Sequence, residues 1–309
     1  MEFIHFKIGK DDDGRRLDRV IRKFLSEDNL SQLYKSLRKG LIKVDNKKQS
    51  PDYRVSENSE LLIADFLIKN NQKKQEINTK HFVNISNISV FQNEHLLILN
   101  KPYDITVHPE LSNIVQNQFL NDINKKTSLS FNSGPLHRLD RKTTGLIVFS
   151  QSLIGAKYFS ELIQKHNVKK TYLAILQGKL PQEYYWTDSI EKKDEKGNHF
   201  HTVQVNTNTE KSKLTETKVI PIAYGKYNQL DITLAEFVIG TGKQHQIRAV
   251  SSFHGYPLLG DIAYNAKKIT ENRFFLHAYK LNFPKNSLGI PEEIICDLPK
   301  EFVKIFPYP

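Results

Sequence analysis

From His81 to the carboxyl end the sequence breaks into short β-prone runs: SVF at 89–91, LLIL at 96–99, LIVF at 146–149, YLAIL at 172–176 and LDITLAEFVI at 230–239. Apolar runs this short and rich in β-branched and aromatic residues bury their surface in a sheet. A single helical pattern interrupts them, with Leu153, Ala156, Phe159, Leu162 and Ile163 on one face and Ser152 as its cap. The expectation is an α+β protein whose larger part is sheet-centred.

The first 68 residues read differently. Leu17, Val20, Ile21, Phe24 and Leu25 recur at helical spacing, with Arg19, Arg22 and Lys23 on another face. A second helix is expected to start at the capping candidate Ser31, bury Leu33, Tyr34 and Leu37, and stop at Gly40, leaving Lys35, Arg38 and Lys39 along one stripe. Leu41–Val44 and Leu61–Ile63, separated by the turn-rich DNKKQSPD, read as short strands. Two neighbouring basic stripes are what a phosphate backbone requires, since each cation that meets a phosphate releases condensed counterions. A solvated helix face is the other reading of the same spacing. After Ile68, the polar stretch KNNQKKQEINTK at 69–80 reads as a linker. The expected organisation is a small module at 1–68, a linker at 69–80 and a larger domain at 81–309.

Charge and composition narrow the partners. The 309 residues carry a net charge of +11, of which residues 1–80 hold +5, a balance that favours polyanions. No apolar run reaches the ~18 residues of a membrane span, and MEFIHFKIGKDDDG has neither an apolar export core nor a small-residue cleavage site. A cytoplasmic monomer is the expectation. The single cysteine, Cys296, excludes an internal disulfide and a multi-cysteine metal site.

Several chemistries fail on spacing. GTGKQ at 240–244 ends in Gln and has Phe237 where a phosphate loop needs its first glycine. HExxH, GxSxG and dinucleotide fingerprints are missing, and His199 and His201 sit in the polar segment KKDEKGNHFHT, a surface loop rather than a metal site. Two polar concentrations remain. GPLHRLDRKTTG at 134–145 places Asp140 between Arg138 and Arg141, and cations beside a carboxylate favour its charged form. If the following strand begins early, Arg138 and Asp140 share a face. TGKQHQIR at 241–248 offers His245, Gln246 and Arg248 after another apolar strand. Both lie at strand ends, where a cleft can form; a structural ion pair at a turn explains Asp140 equally well from the residues alone.

These residues also carry two resemblances. Residues 14–67, above all LRKGLIKVDNKK, resemble the S4-type RNA-binding domain. HRLDRKTTGLIVF resembles the signature of the RluA-type pseudouridine synthases. It is joined in order by NKPYDITVHP at 100–109, KKTYLAILQG at 169–178, TGKQHQIR, PLLGDIAY at 257–264 and LHAYKLNF at 276–283. The resemblance implies a mixed, largely antiparallel sheet crossed by the active cleft. It also implies isomerisation of uridine to pseudouridine in RNA without cofactor or metal. An S4-type module ahead of such a domain implies 23S (large-subunit) ribosomal RNA, with transfer RNA, or a non-catalytic RNA-binding role, as alternatives.

Residue by residue, the resemblance assigns catalysis to Asp140, pairing with it to Arg248, and a flat face and hydroxyl for the uracil to Tyr172. Leu276 is the apolar platform, Arg138 the side chain that enters the space a flipped base vacates or holds a neighbouring phosphate, and Lys170 a phosphate-steering cation, an exposed strand-edge lysine being its other reading. RNA contacts are expected from Arg15, Arg16, Arg19, Arg22, Lys23, Lys35, Arg38 and Lys39. His137 and His245 are treated as structural or hydrogen-bonding residues. The chain departs from the family pattern at Tyr103 and Asp104 (a small residue and glycine), Lys142 (aspartate), Lys243 (arginine) and Asn265 (glycine), which bears on loop shape and RNA contacts.

Overall fold

A computed structural model describes residues 2–25, 29–72, 83–120, 128–131, 133–193, 202–206, 209–210, 212–271 and 273–306. The amino-terminal module contains β1 (Phe3–Lys7), α1 (Leu17–Phe24), α2 (Leu30–Lys39), β2 (Ile42–Val44), β3 (Glu60–Ala64) and α3 (Asp65–Gln72). Its antiparallel strands run β1-β3-β2. The apolar faces of α1 and α2 close on this sheet around Leu17, Val20, Ile21, Leu33 and Leu37. Gly40 ends α2 in the left-handed conformation at φ 70, which a Cβ disfavours.

Three details differ from expectation. The cap of α2 is Asn29, whose Oδ1 accepts from the Ser31 and Gln32 N–H groups at 3.1 and 3.2 Å; Ser31 is the first donor served, not the cap. The first strand, FIHFK, is additional to the expected elements: only Phe6 within it is buried and the run carries no clean alternation. The polar segment taken to begin a linker at 69 continues α3 as far as Gln72, and positions 73–80 lie outside the described residues.

The larger part contains α4 (Ile85–Ile88), β4 (Ser89–Gln92), β5 (Leu96–Lys101), α5 (Ser112–Leu120), β6 (Thr144–Ser150), α6 (Leu153–Gln164), β7 (Lys169–Gln177), β8 (Tyr184–Lys193), β9 (Thr202–Val205), β10 (Lys213–Tyr227) and β11 (Leu230–Ile239). It ends with α7 (Gln246–Phe253), β12 (Leu276–Asn282), β13 (Glu293–Ile295) and α8 (Lys300–Ile305). Among the described residues ten strands form one sheet, ordered β4-β5-β6-β12-β7-β11-β10-β8-β9, with β13 on β12. All pairings are antiparallel except β6 with β12. This α+β architecture with a mixed, largely antiparallel sheet is the one expected.

Every second residue of a strand faces the same side, so the sheet has two cores. Leu96, Ile98, Leu146 and Val148 pack under Phe159 and Leu162 of α6, and Ile175, Leu234 and Phe275 pack under Phe302 of α8. The opposite face holds Leu97, Leu99, Ile147, Tyr172 and Leu276, packed with residues of α5 and α7. Gly145 marks the crossing of the parallel pair: at φ 105 its backbone lies so close to Ala278 that an added Cβ would sit 2.3 Å from the Ala278 carbonyl oxygen. The glycine of the TTG string therefore permits β6 and β12 to meet.

The two parts are joined by buried contacts. Leu129, from the larger part, is buried in the module's core. Asp12 is fully buried and accepts from Ser128 Oγ at 2.8 Å, the Leu129 and Ser130 N–H groups and the Ser130 hydroxyl. Asp11 Oδ2 accepts from the Leu153 N–H at 2.9 Å, satisfying an otherwise unpaired donor at the start of α6.

Candidate active site

The loop before β6 carries Asp140, and the first turn of α7 carries Arg248. Gln246 fixes the approach to that helix. Its Oε1 accepts from Thr241 Oγ1, Gly242 N–H and Lys243 N–H, while its Nε2 donates to Glu216 O and Thr217 Oγ1. His245, at φ 54, then turns the chain into α7. The result sets Arg248 Nη1 3.2 Å from Asp140 Oδ2. Arg248 Nε and Nη2 donate to Asp261 Oδ2 and Oδ1 at 2.7 and 2.8 Å, and its guanidinium lies 4.9 Å from the Tyr264 ring centroid and 4.3 Å from that of Phe274. Burial alone would lower the Arg248 pKa, but the Asp261 carboxylate, with Asp140 behind it, raises it above the ordinary value.

Strand register supplies the rest. Tyr172 pairs with Ala278 and Leu276 pairs with Ala174, so these four residues share the sheet face that looks toward Asp140. Asp140, Tyr172, Arg248 and Leu276 line one cleft. It shares Asp140, His245 and Arg248 with a wider groove of about 680 Å³, bordered also by His108, Tyr264 and Phe274. Sites for small organic ligands are typically about 300–1,000 Å³, so the groove has room for one everted nucleotide. Burial, followed by the charge of Asp140, raises the Tyr172 pKa well above that of an ordinary phenol. Its hydroxyl is therefore a hydrogen-bonding group at neutral pH and a poor base.

Arg138 is exposed and borders both spaces. Because β6 starts at Thr144, Arg138 and Asp140 lie in a loop rather than on one strand, which corrects the shared-face expectation. Lys170 lines neither space. It is buried on an interior strand, paired with Leu281 and Ile239, and its Nζ sits 3.5 Å from Thr241 O. Burial, with Lys243 nearby, lowers its pKa to about 8. An exposed strand-edge lysine is thus the wrong description. His137 has the structural role expected: Nε2 accepts from the Val148 N–H at 3.1 Å, and burial pushes the ring down to about 3.

In the module, Arg15 donates to Ser130 Oγ at 2.6 Å and Arg16 pairs with Asp18 at 2.8 Å. Arg19, Arg22, Lys23, Lys35, Arg38 and Lys39 are all exposed. His199 and His201 lie outside the described residues. Among the described residues no group of three or more metal-ligating side chains is placed to hold an ion, and no helix is long and apolar enough to cross a membrane.

Several residues given no role from sequence complete the site. Asp261, inside PLLGDIAY, clamps Arg248, and Tyr264 bonds His245. Lys101 is fully buried and donates to Pro102 O, Ile105 O and Arg141 O at 2.8–2.9 Å, tying the NKPYD loop to the residue after Asp140. The signal for all three was their place inside motifs that were read only as strings. Two departures from the family pattern fall where the backbone is left-handed. Asp104 (φ 62) and Asn265 (φ 65) take the left-handed conformation that glycine usually supplies, and Asp and Asn are among the side chains that tolerate it. Asp104 Oδ1 also accepts from Arg141 Nε at 2.9 Å.

The family model for RNA pseudouridylate synthase matches residues 95–253. Ribosomal large subunit pseudouridine synthase C of Buchnera aphidicola subsp. Schizaphis graminum is 27% identical over 94% of this chain and 92% of its own length. An uncharacterized RNA pseudouridine synthase of Mycoplasma capricolum is 26% identical over 90% and 91%. Ribosomal large subunit pseudouridine synthase D of Borreliella burgdorferi is 27% identical over 77% and 73%. Among solved structures, human RNA pseudouridylate synthase domain containing 1 shares the fold with a TM-score of 0.59 at 21% identity, over 74% of this chain and 89% of that one. With the motifs in order, the expected sheet in place and a family match across about half the chain, this protein belongs to the RNA pseudouridylate synthase family and is an RluA-type RNA pseudouridine synthase, an isomerase.

Proposed function

We propose that the chain converts specific uridines of large-subunit ribosomal RNA to pseudouridine, with Asp140 as the catalytic carboxylate. The observation that carries this reading is the half-buried Asp140 side chain where a groove of nucleotide size meets a smaller cleft, with Arg248 on one oxygen and Tyr172 and Leu276 lining the smaller cleft.

The reaction breaks the bond from uracil N1 to ribose C1′, turns the base, joins C5 to C1′, moves the C5 proton to solvent or a base, and returns a proton to N1. Breaking a glycosidic bond develops positive character on C1′, and a carboxylate set against that carbon stabilises it or bonds to it. Asp140 supplies that carboxylate in this reading, and the Arg248–Asp261 clamp supports its rotamer. Tyr172 and Leu276 offer the freed uracil an aromatic and an aliphatic surface. Arg138, exposed at the mouth, has the length and charge to occupy the vacated stack or meet a neighbouring phosphate once the base is everted.

The module's three-stranded sheet, closed by α1 and α2, supports its reading as an S4-type RNA-binding domain, with the exposed cations of these two helices as its phosphate contacts. Arg15 and Arg16, bonded to Ser130 and Asp18, make smaller contributions to that surface. Large-subunit RNA as substrate is supported by the module together with the names of the relatives. Mapping pseudouridine in ribosomal and transfer RNA from cells with and without the protein tests this assignment. Loss of sites in large-subunit RNA is expected; loss confined to transfer RNA would overturn it.

A further inference from the structure

Asp140 meets different partners at its two oxygens. Oδ2 faces the charged Nη1 of Arg248 at 3.2 Å, while Oδ1 faces Nε2 of His245 at 3.5 Å. The partner behind the ring bears on which form of the imidazole stands there. The Tyr264 oxygen accepts from the Val203 N–H at 3.0 Å and lies 2.9 Å from His245 Nδ1; giving its own proton to Nδ1 is the arrangement that uses both its acceptor and its donor. Burial raises the Tyr264 pKa to about 12, and the hydroxyl remains a donor. A ring whose Nδ1 accepts carries its proton on Nε2.

We propose that His245 is a positioning residue: locked by Tyr264 as the neutral Nε2–H tautomer, it holds Asp140 so that Oδ1, and not Oδ2, is the oxygen presented to the ribose. The inference rests on the reading of Asp140 as the catalytic carboxylate. A second cation beside the first would engage both oxygens in ion pairs and blunt the carboxylate. A neutral N–H facing the oxygen at 3.5 Å, longer than a usual hydrogen bond, biases its orientation without neutralising it. The same tautomer excludes His245 as acceptor of the C5 proton, because its cleft-facing nitrogen already carries one.

The charges around the ring agree with neutrality. Burial lowers the His245 pKa; Asp140 and Asp261 oppose that shift, and Arg248 and Arg138 add to it. The backbone constrains the test, since His245 sits at φ 54, where asparagine is tolerated and most residues are strained.

The test compares His245→Asn, Tyr264→Phe and the double variant in the full-length protein, with Asp140→Asn alongside. Single-turnover tritium release from RNA labelled at uridine C5 gives the rate, and a separate titration gives RNA affinity. Each single variant is expected to lose at least about tenfold in rate with affinity within about twofold, and the double variant to match His245→Asn, because residues acting in one chain are non-additive. Nitrogen NMR of the imidazole is expected to show neutral Nε2–H at pH 7 in the wild type. A wild-type rate in either variant, multiplying losses in the double variant, a loss confined to affinity, or an imidazolium or Nδ1–H signal would overturn the inference. Should His245→Asn fail to fold, Tyr264→Phe, which keeps the ring beside Arg248, decides together with the spectrum. If Asp140→Asn stays active, the reading of Asp140 itself fails; if it is inactive while the other variants are normal, only the role of His245 fails.

Discussion

Arg248 gives two of its nitrogens to Asp261, at 2.7 and 2.8 Å, and turns only the third toward Asp140 at 3.2 Å. The guanidinium is thereby anchored by one carboxylate while it serves another. A bidentate, buried pair of this kind is geometrically rigid, and rigidity is what a side chain that must hold a catalytic rotamer needs.

Replacing the anchor should therefore cost stability and activity together. Breaking a buried ion pair by removing one partner costs roughly 3–5 kcal/mol. Asp261→Asn keeps the shape but withdraws the charge, so a loss toward the low end of that range in urea denaturation is expected, with tritium release at least about tenfold slower. Unchanged release would show that Arg248 needs no anchor.

The histidine beneath the site gives a pH signature. His277 is fully buried, with Nδ1 2.8 Å from Thr144 Oγ1 and Nε2 3.2 Å from Cys296 Sγ, and burial lowers its pKa from 6.5 to about 4. The unfolded chain then binds more protons than the folded one between pH 6.5 and 4. Stability from this group is complete above 6.5 and falls as pH drops through that window, by about 3 kcal/mol over the full shift. Urea denaturation at pH 7 and pH 4 should show His277→Gln losing that much less than wild type.

Asp12 is expected to hold the two parts of the molecule together. Its carboxylate is the acceptor for donors of residues 128–130, and Leu129 sits in the module's core. Asp12→Ala strands those buried donors at a cost of about 1–3 kcal/mol. The measurable consequence is faster amide hydrogen exchange at Leu129 and Ser130 than in the wild type. Exchange as slow as in the wild type would mean that the packing of Leu129 suffices.

This docking makes point variants a cleaner probe of RNA binding than deletion of the module. Replacing Arg22, Lys35 and Arg38 with Gln leaves the contacts of Asp11 and Asp12 intact. If each meets a phosphate, the slope of log affinity against log salt should fall by about 2–3 units. An unchanged slope would assign these cations to a solvated face.

Local patterns were legible where one residue's chemistry decides the outcome. Leu17, Val20 and Ile21 lie buried along one face of α1, Gly40 ends α2 and Ser152 caps α6, because helical spacing, left-handed φ and an unpaired N–H are local demands. The motif strings located Asp140, Tyr172, Arg248 and Leu276, which the strand register then brought to one cleft. Asp261, Tyr264 and Lys101 were not legible. The partners that tie them to the site, Arg248, His245 and Arg141, are 13, 19 and 40 positions away, and nothing local in the chain announces a hydrogen bond made across the fold. The burial of Lys170 escaped for the same reason: strand order, not the sequence around it, puts a strand on each side.

The account turns on Asp140, and the most direct measurement is tritium release from RNA carrying uridine labelled at C5, by wild type and by Asp140→Asn at matched RNA saturation. The substitution preserves shape and a hydrogen-bond acceptor for Arg248 while removing the negative charge proposed to face the ribose. Wild type is expected to release label, and Asp140→Asn to release none above background while retaining RNA affinity within about threefold. Release by Asp140→Asn at the wild-type rate would contradict the central claim.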